Sequence, residues 1–204
     1  MLFTPHRLAL CIALASAAFA SASVAKDYSI TSATTDTLEL KKGDNLKVSA
    51  QGSIVSSKDD GVILPKHTSG TTMTVENAGI IRSTVARGID TKDEGEDASA
   101  WIITNKAGAL IQGTNDGLRF QTNPTAGGTL KIVNAGTIES TGDGQAIDLE
   151  TLNNPKFTTS LTNEATGVIH AVGNDAIKTG SNATVINYGL IHTDTAPQDK
   201  NGLD

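Results

Sequence analysis

Cysteine is almost missing from this 204-residue chain: Cys11 is the only one, and it lies within the first 25 residues. A disulfide framework is therefore excluded, and the stability of a secreted domain must come from elsewhere. Aromatic residues make up 3% of the chain. Beyond residue 25 they are Tyr28, Trp101, Phe120, Phe157 and Tyr188, too few for a row of sugar-stacking platforms. Positive charge is not in excess either, since the formal net charge is −6. Such a chain has no electrostatic footprint for a phosphate backbone, and no nucleic-acid partner is expected. There is no Gly-x-Ser-x-Gly elbow, no phosphate-binding glycine loop and no His-Glu-x-x-His. No catalytic residue and no cofactor is called for by any motif.

Residues 1–25 differ from the rest. His6 and Arg7 precede an apolar run, Leu8 to Ala15, which is followed by small residues. The run is too short to span a bilayer, and Ala18-Phe19-Ala20 and Ser23-Val24-Ala25 both offer the small-x-small pattern of a leader-peptidase site. Cleavage after Ala25 is preferred over Ala20, because polar sequence begins at Lys26. A lipid anchor on Cys11 is disfavoured, since Leu10 stands where a small residue is wanted. The chain is read as exported.

What the remainder has in abundance is repetition. Residues 26–45 are polar and read as an N-terminal strand or cap, with repeats over 46–204. With a turn glycine as origin, copies fall at Gly52, Gly79, Gly108, Gly136, Gly167 and Gly189. Two residues later comes an aliphatic: Ile54, Ile81, Leu110, Ile138, Ile169 and Ile191. Ahead of five glycines stands an asparagine, Asn77, Asn105, Asn134, Asn163 and Asn187, with Ala50 in its place in the first copy. Two residues before that position the chain is apolar, at Val48, Val75, Ile103, Ile132, Leu161 and Val185. A second element follows at nearly fixed distance, as in Gly88-Ile89-Asp90 and Ala146-Ile147-Asp148, and a last copy is read at Gly202-Leu203-Asp204.

The copies recur at the length of one solenoid coil, and each holds two or three short strands by period-two alternation. One coil alone has three or four aliphatics at roughly 1.5–3 kcal/mol each. Ordering its backbone costs about 1–2 kcal/mol per residue. A lone coil therefore loses, and stacked coils win. The expected fold is all-β, a right-handed parallel β-helix of about six coils. Asparagine at the corners can bond its equivalent one coil away, and glycine there can take positive φ. The competing hairpin reading of Asn-x-Gly would lead to a sandwich or a propeller.

Chemistry-bearing candidates are sparse. The acidic loop Asp90 to Asp97, and the glycine/aspartate run Gly142 to Asp148, have the oxygen donors that calcium uses but not the spacing of a known calcium loop. Asp90, Asp148 and Lys178 occupy comparable positions on three coils, which is what a β-helical polysaccharide lyase or hydrolase would need. Three residues after the turn glycine stand Val55, Arg82, Ile111, Glu139, His170 and His192. Stacked coils would set Glu139, His170 and His192 in an outward column, a donor set suited to zinc although no metal motif is present.

The leader followed by Asn-x-Gly-x-Ile-x-Ser coils, as in Val75-Glu76-Asn77-Ala78-Gly79-Ile80-Ile81, resembles the passenger region of bacterial autotransporters over residues ~46–204. The resemblance implies a non-catalytic β-helix displayed at the outer membrane or released, often as an adhesin, with loops contacting host or bacterial surface molecules. It also implies an outer-membrane β-barrel translocator, which this sequence does not contain. The matched positions Asn77, Gly79, Asn105, Gly108, Asn134, Gly136, Asn163, Gly167, Asn187 and Gly189 are structural, and no functional residue carries over. Ending inside a coil, the chain is read as an N-terminal fragment of a longer frame. A truncated periplasmic product without function of its own is the alternative.

Overall fold

The computed structural model describes residues 24–65, 70–92, 99–121 and 127–194. Twenty strands follow one another in chain order. The first three are β1 (Asp27–Ile30), β2 (Ala33–Thr34) and β3 (Leu38–Glu39), then β4 (Asn45–Val48), β5 (Ser53–Ser56) and β6 (Val62–Ile63). Next come β7 (Thr72–Asn77), β8 (Ile80–Ser83), β9 (Ile89–Asp90), β10 (Ser99–Asn105), β11 (Leu110–Gly113) and β12 (Leu118–Arg119). The remainder are β13 (Gly128–Asn134), β14 (Thr137–Ser140), β15 (Ile147–Asp148), β16 (Phe157–Asn163), β17 (Val168–Ala171), β18 (Ile177–Lys178), β19 (Ala183–Asn187) and β20 (Leu190–Thr193).

Every third strand joins the same sheet. The first sheet runs β1-β4-β7-β10-β13-β16-β19, the second β2-β5-β8-β11-β14-β17-β20, and the third β3 to β18. All pairings are parallel. This is a parallel β-solenoid with three strands to the turn, as the repeat requires. Residues 26–45, read as a strand or cap, place one strand in each sheet at the end of the stack.

The three sheets enclose one core of vertical aliphatic columns. Ile54, Ile81, Ile111, Ile138 and Ile169 form one, all fully buried. Val62, Ile89, Leu118, Ile147 and Ile177 form a second. Each side chain has its equivalent above and below, so its apolar surface is covered without help from distant sequence. Trp101, Phe120 and Phe157 are buried as well, with the Trp101 and Phe120 rings edge to face at 5.3 Å.

Two registers differ from the sequence alignment. In the third copy Leu110 pairs with Ile80 and Thr137, and Ile111 is the inward residue. The position of the turn glycine is therefore Ala109, not Gly108. In the first copy Val48, not Ala50, pairs with Asn77, and Leu46 pairs with Val75. The reason is turn length. The corners Val48–Gly52, Asn105–Ala109 and Asn163–Gly167 hold three residues between their ends and are closed by Gly52, Ala109 and Gly167 N–H donation to Ser49, Lys106 and Glu164 carbonyls. The corners Asn77–Gly79, Asn134–Gly136 and Asn187–Gly189 hold one. Long and short corners alternate along the axis.

The glycines of the short corners are required by close approach, not by positive φ. A Cβ on Gly136 would lie 2.4 Å from the Ala109 carbonyl oxygen and 2.5 Å from that of Lys106, both in the long corner before it. Gly108 has φ +77° and open space around a Cβ. It supplies the left-handed step that lets Ala109 carry its methyl.

The asparagines form one continuous ladder. Asn77 Nδ2 donates to Asn105 Oδ1 at 2.9 Å, and Asn105 donates to Asn134 at 2.9 Å. Asn134 donates to Asn163 at 2.8 Å, and Asn163 to Asn187 at 2.8 Å. The second N–H of each amide reaches a backbone carbonyl of the following coil, at Leu110, Thr137, Val168 and Leu190. The first four asparagines are wholly buried. A carboxylate has no N–H to give, so Asn134→Asp would leave the Asn163 and Val168 oxygens unpaired around a buried charge. We expect a loss of about 3–5 kcal/mol in denaturant melts. Gly136→Ala must shift two carbonyls, whereas Gly108→Ala meets only its left-handed φ, a cost of about 1–2 kcal/mol. Gly136→Ala is therefore expected to lower the melting temperature more.

Candidate functional site

Alternation on the sheets decides which side chains can act on anything outside. Residues between the inward columns face solvent, and the parallel register stacks them one coil apart, at about 4.8 Å. On the second sheet the outward column is Val55, Arg82, Gln112, Glu139, His170 and His192. Glu139, His170 and His192 are thus brought together as the spacing implied. Ile111 is not part of the column, because the shift in its coil turns it inward and puts Gln112 there instead.

The lower half of this column is tightly arranged. Glu139 Oε2 accepts from Gln112 Nε2 at 2.6 Å, and its Oε1 lies 3.1 Å from His170 Nδ1. An ionised carboxylate can only accept, so His170 donates through Nδ1–H. The His170 and His192 rings are stacked, 4.3 Å between centroids and 9° apart in plane. His170 Nε2 lies 2.9 Å from Asp194 Oδ1. Among the described residues neither it nor His192 Nδ1 has an aligned hydrogen-bond partner, and both atoms are buried. Asp194 was missed in the sequence, although its signal was present: His192-x-Asp194 sets the acid just past the end of β20, two residues from His192. Its backbone is fixed, with the Asp194 N–H donating to Ala171 O at 3.1 Å.

The third sheet carries the other constellation. Asp90, Arg119, Asp148 and Lys178 share one outward column. Asp90, Asp148 and Lys178 do stack as read from the sequence, but Arg119 stands between the two acids. It holds both Asp90 oxygens, at 3.0 and 2.9 Å, and Asp90 is fully buried. Three residues earlier in each coil, Arg87 Nε donates to Asp116 at 3.0 Å, and the Arg87 backbone N–H donates to Asp60 at 2.9 Å. Lys178 pairs with Glu150 at 2.7 Å. Arg119 was visible only as a member of the repeat, and nothing in single-coil spacing shows which acid it reaches.

Burial pushes the Asp148 carboxyl above its ordinary 3.8, against the weaker pull of the Glu150 N–H. Asp116 is raised by burial too, with Arg87 and the Gln145 N–H opposing. The remaining sequence candidates are dispersed. Of the acidic loop, Asp90 is taken by Arg119, and residues 93–97 lie outside the described residues, as do 1–23 and Gly202-Leu203-Asp204. In Gly142 to Asp148, the Asp143 carbonyl accepts from Asn174, and Asp148 caps the Glu150 N–H. Three of the five aromatics are inside the core. Tyr28 is half-buried with Lys26 over its ring at 4.4 Å, and Tyr188 is exposed.

Comparison of the chain with protein-family models, with curated proteins and with solved structures finds no match. The class is set by the fold, an all-β parallel β-solenoid.

The Asp148 shift has a definite sign. With the folded value above the unfolded one, the native protein binds the proton more tightly, and this group costs stability as pH rises from 3.8 upward. Asp148→Asn keeps an oxygen for the Glu150 N–H and removes the half-buried charge. At pH 7 it is expected to melt at or above the wild-type temperature, and below pH ~3.8 the difference should vanish.

Proposed function

We propose that this chain is an exported, non-catalytic β-solenoid module of the autotransporter-passenger kind, which meets molecules of a host or bacterial surface through its outward columns and loops. The observation that carries this reading is where the repeated residues lie. Asn77, Asn105, Asn134 and Asn163, with the isoleucine column, are spent on the interior, and the outward register positions differ from coil to coil. A scaffold of that kind presents a long variable surface on a fixed frame, which suits recognition. Of the two acids that a carbohydrate-active enzyme would pair, Asp90 is held by Arg119 through both oxygens, which disfavours general acid–base work by the two together. The leader pattern at residues 1–25 supports export, and a partner β-barrel at the outer membrane is the translocator this reading requires.

The test is made in cells producing the full chain. Mass spectrometry of the exported protein should show a new N-terminus at Lys26, and protease added to intact cells should remove it. Beads coated with the protein should adhere to cells more than beads coated with the Asn134→Asp variant. An intact leader in the cytoplasm, or equal adhesion by both beads, would overturn the proposal.

A further inference from the structure

We propose that His170, His192 and Asp194 form a binding site for a divalent transition metal of the zinc type, with Glu139 positioning His170 from behind. Among the described residues these three are the group of ligand side chains near enough to share an ion: one atom from each lies within 4.8 Å of the others.

The polar arrangement calls for a cation. Glu139 holds the proton on His170 Nδ1, so neutral His170 turns the Nε2 lone pair outward. Off the axis of that lone pair, a carboxylate oxygen of Asp194 lies 2.9 Å from Nε2. Two electron-rich atoms at that separation repel unless something positive joins them. A second proton would join this one pair and leave His192 Nδ1, also buried, without a partner. It would also place an imidazolium face to face with the His192 ring at 4.3 Å. A metal ion can take His170, a ring nitrogen of His192 and Asp194 together.

The donor set is two imidazoles and one carboxylate, which suits zinc and neighbouring metals better than calcium or magnesium. Bonds of about 2.0–2.1 Å at tetrahedral angles put ligand atoms roughly 3.3 Å apart. Closing from the present spacing needs a rotation of Asp194, the most exposed of the three with 52% of its side chain accessible, and a tilt of one imidazole, because the ring planes that hold the lone pairs are now only 9° apart. The two histidines sit on paired strands, His170 opposite His192, and are already stacked. The chain Gln112–Glu139–His170 is the outer support that metal-bound histidines commonly have, a carboxylate fixing the tautomer and the ring plane. Three protein ligands leave further coordination positions open to water or to a donor from another molecule.

The test is calorimetric titration of the full chain with Zn²⁺ alone, at neutral pH in a non-chelating buffer. We expect one saturable site per chain, with affinity falling at least tenfold in His170→Ala and in Asp194→Asn. Glu139→Gln should weaken binding about 10–100-fold, as loss of an outer partner does, and His67→Ala should leave it unchanged. Nitrogen-15 spectra of the imidazoles should shift for His170 and His192 and not for His67. Asp194→Asn is isosteric and outward, so its melt should match wild type and separate lost binding from lost folding. No saturable heat, or binding retained in both His170→Ala and Asp194→Asn, would overturn the site. So would spectra in which His67 alone responds.

Discussion

Everything in this molecule depends on register along one axis. A coil pairs with its neighbours by parallel backbone bonds, and such pairing by itself tolerates slippage. The asparagine ladder removes that freedom. Each buried amide has two N–H groups and an oxygen that must be matched, and they are matched only when asparagine lies over asparagine. A slip of one residue would strand polar groups in a dry interior, at about 1–3 kcal/mol for each. The aliphatic columns supply most of the stabilisation, and the ladder chooses which stack they form.

Register then determines the surface. Because Asn134 lies over Asn163, Glu139 lies over His170, and His170 over His192. Residues far apart in sequence become lateral neighbours without any tertiary packing of loops. On the third sheet the same rule interleaves acids and bases, Asp90, Arg119, Asp148 and Lys178, so that charges of opposite sign meet along the column. The outer faces are thus assembled one residue per coil, and a substitution in one coil changes the surface without disturbing the frame.

The sequence made the solenoid, its inward isoleucines and the stacked corner asparagines legible, because each repeats at a fixed offset. What it concealed was the alternation of corner lengths. Gly108 looked like a turn glycine because it follows Asn105, yet it is one residue early and belongs to a longer corner. Val48 escaped as a ladder equivalent because it has no amide to mark it. The partners of Asp90 were hidden for a different reason: Arg119 reaches it from the adjacent coil, and a pair separated by a whole turn shows no local pattern. Asp194 was legible in hindsight, two residues past His192 and just beyond the end of β20. The corner alternation also means that the unit of this fold is two coils, since a short corner tucks beneath the long one before it and the Ala109 and Lys106 carbonyls occupy the space a Gly136 side chain would need.

The ladder has a direction. Asn77, Asn105, Asn134 and Asn163 give their N–H groups toward the following coil, each to the oxygen of the next asparagine, and in the coil before Asn77 Val48 stands where the series would continue. Within the described residues the ladder therefore has unlike ends, Asn77 lying against the aliphatic Val48 and Asn187 receiving from Asn163. As the chain folds, each completed coil offers the donors that the next asparagine needs, so order can advance by templating, one rung at a time.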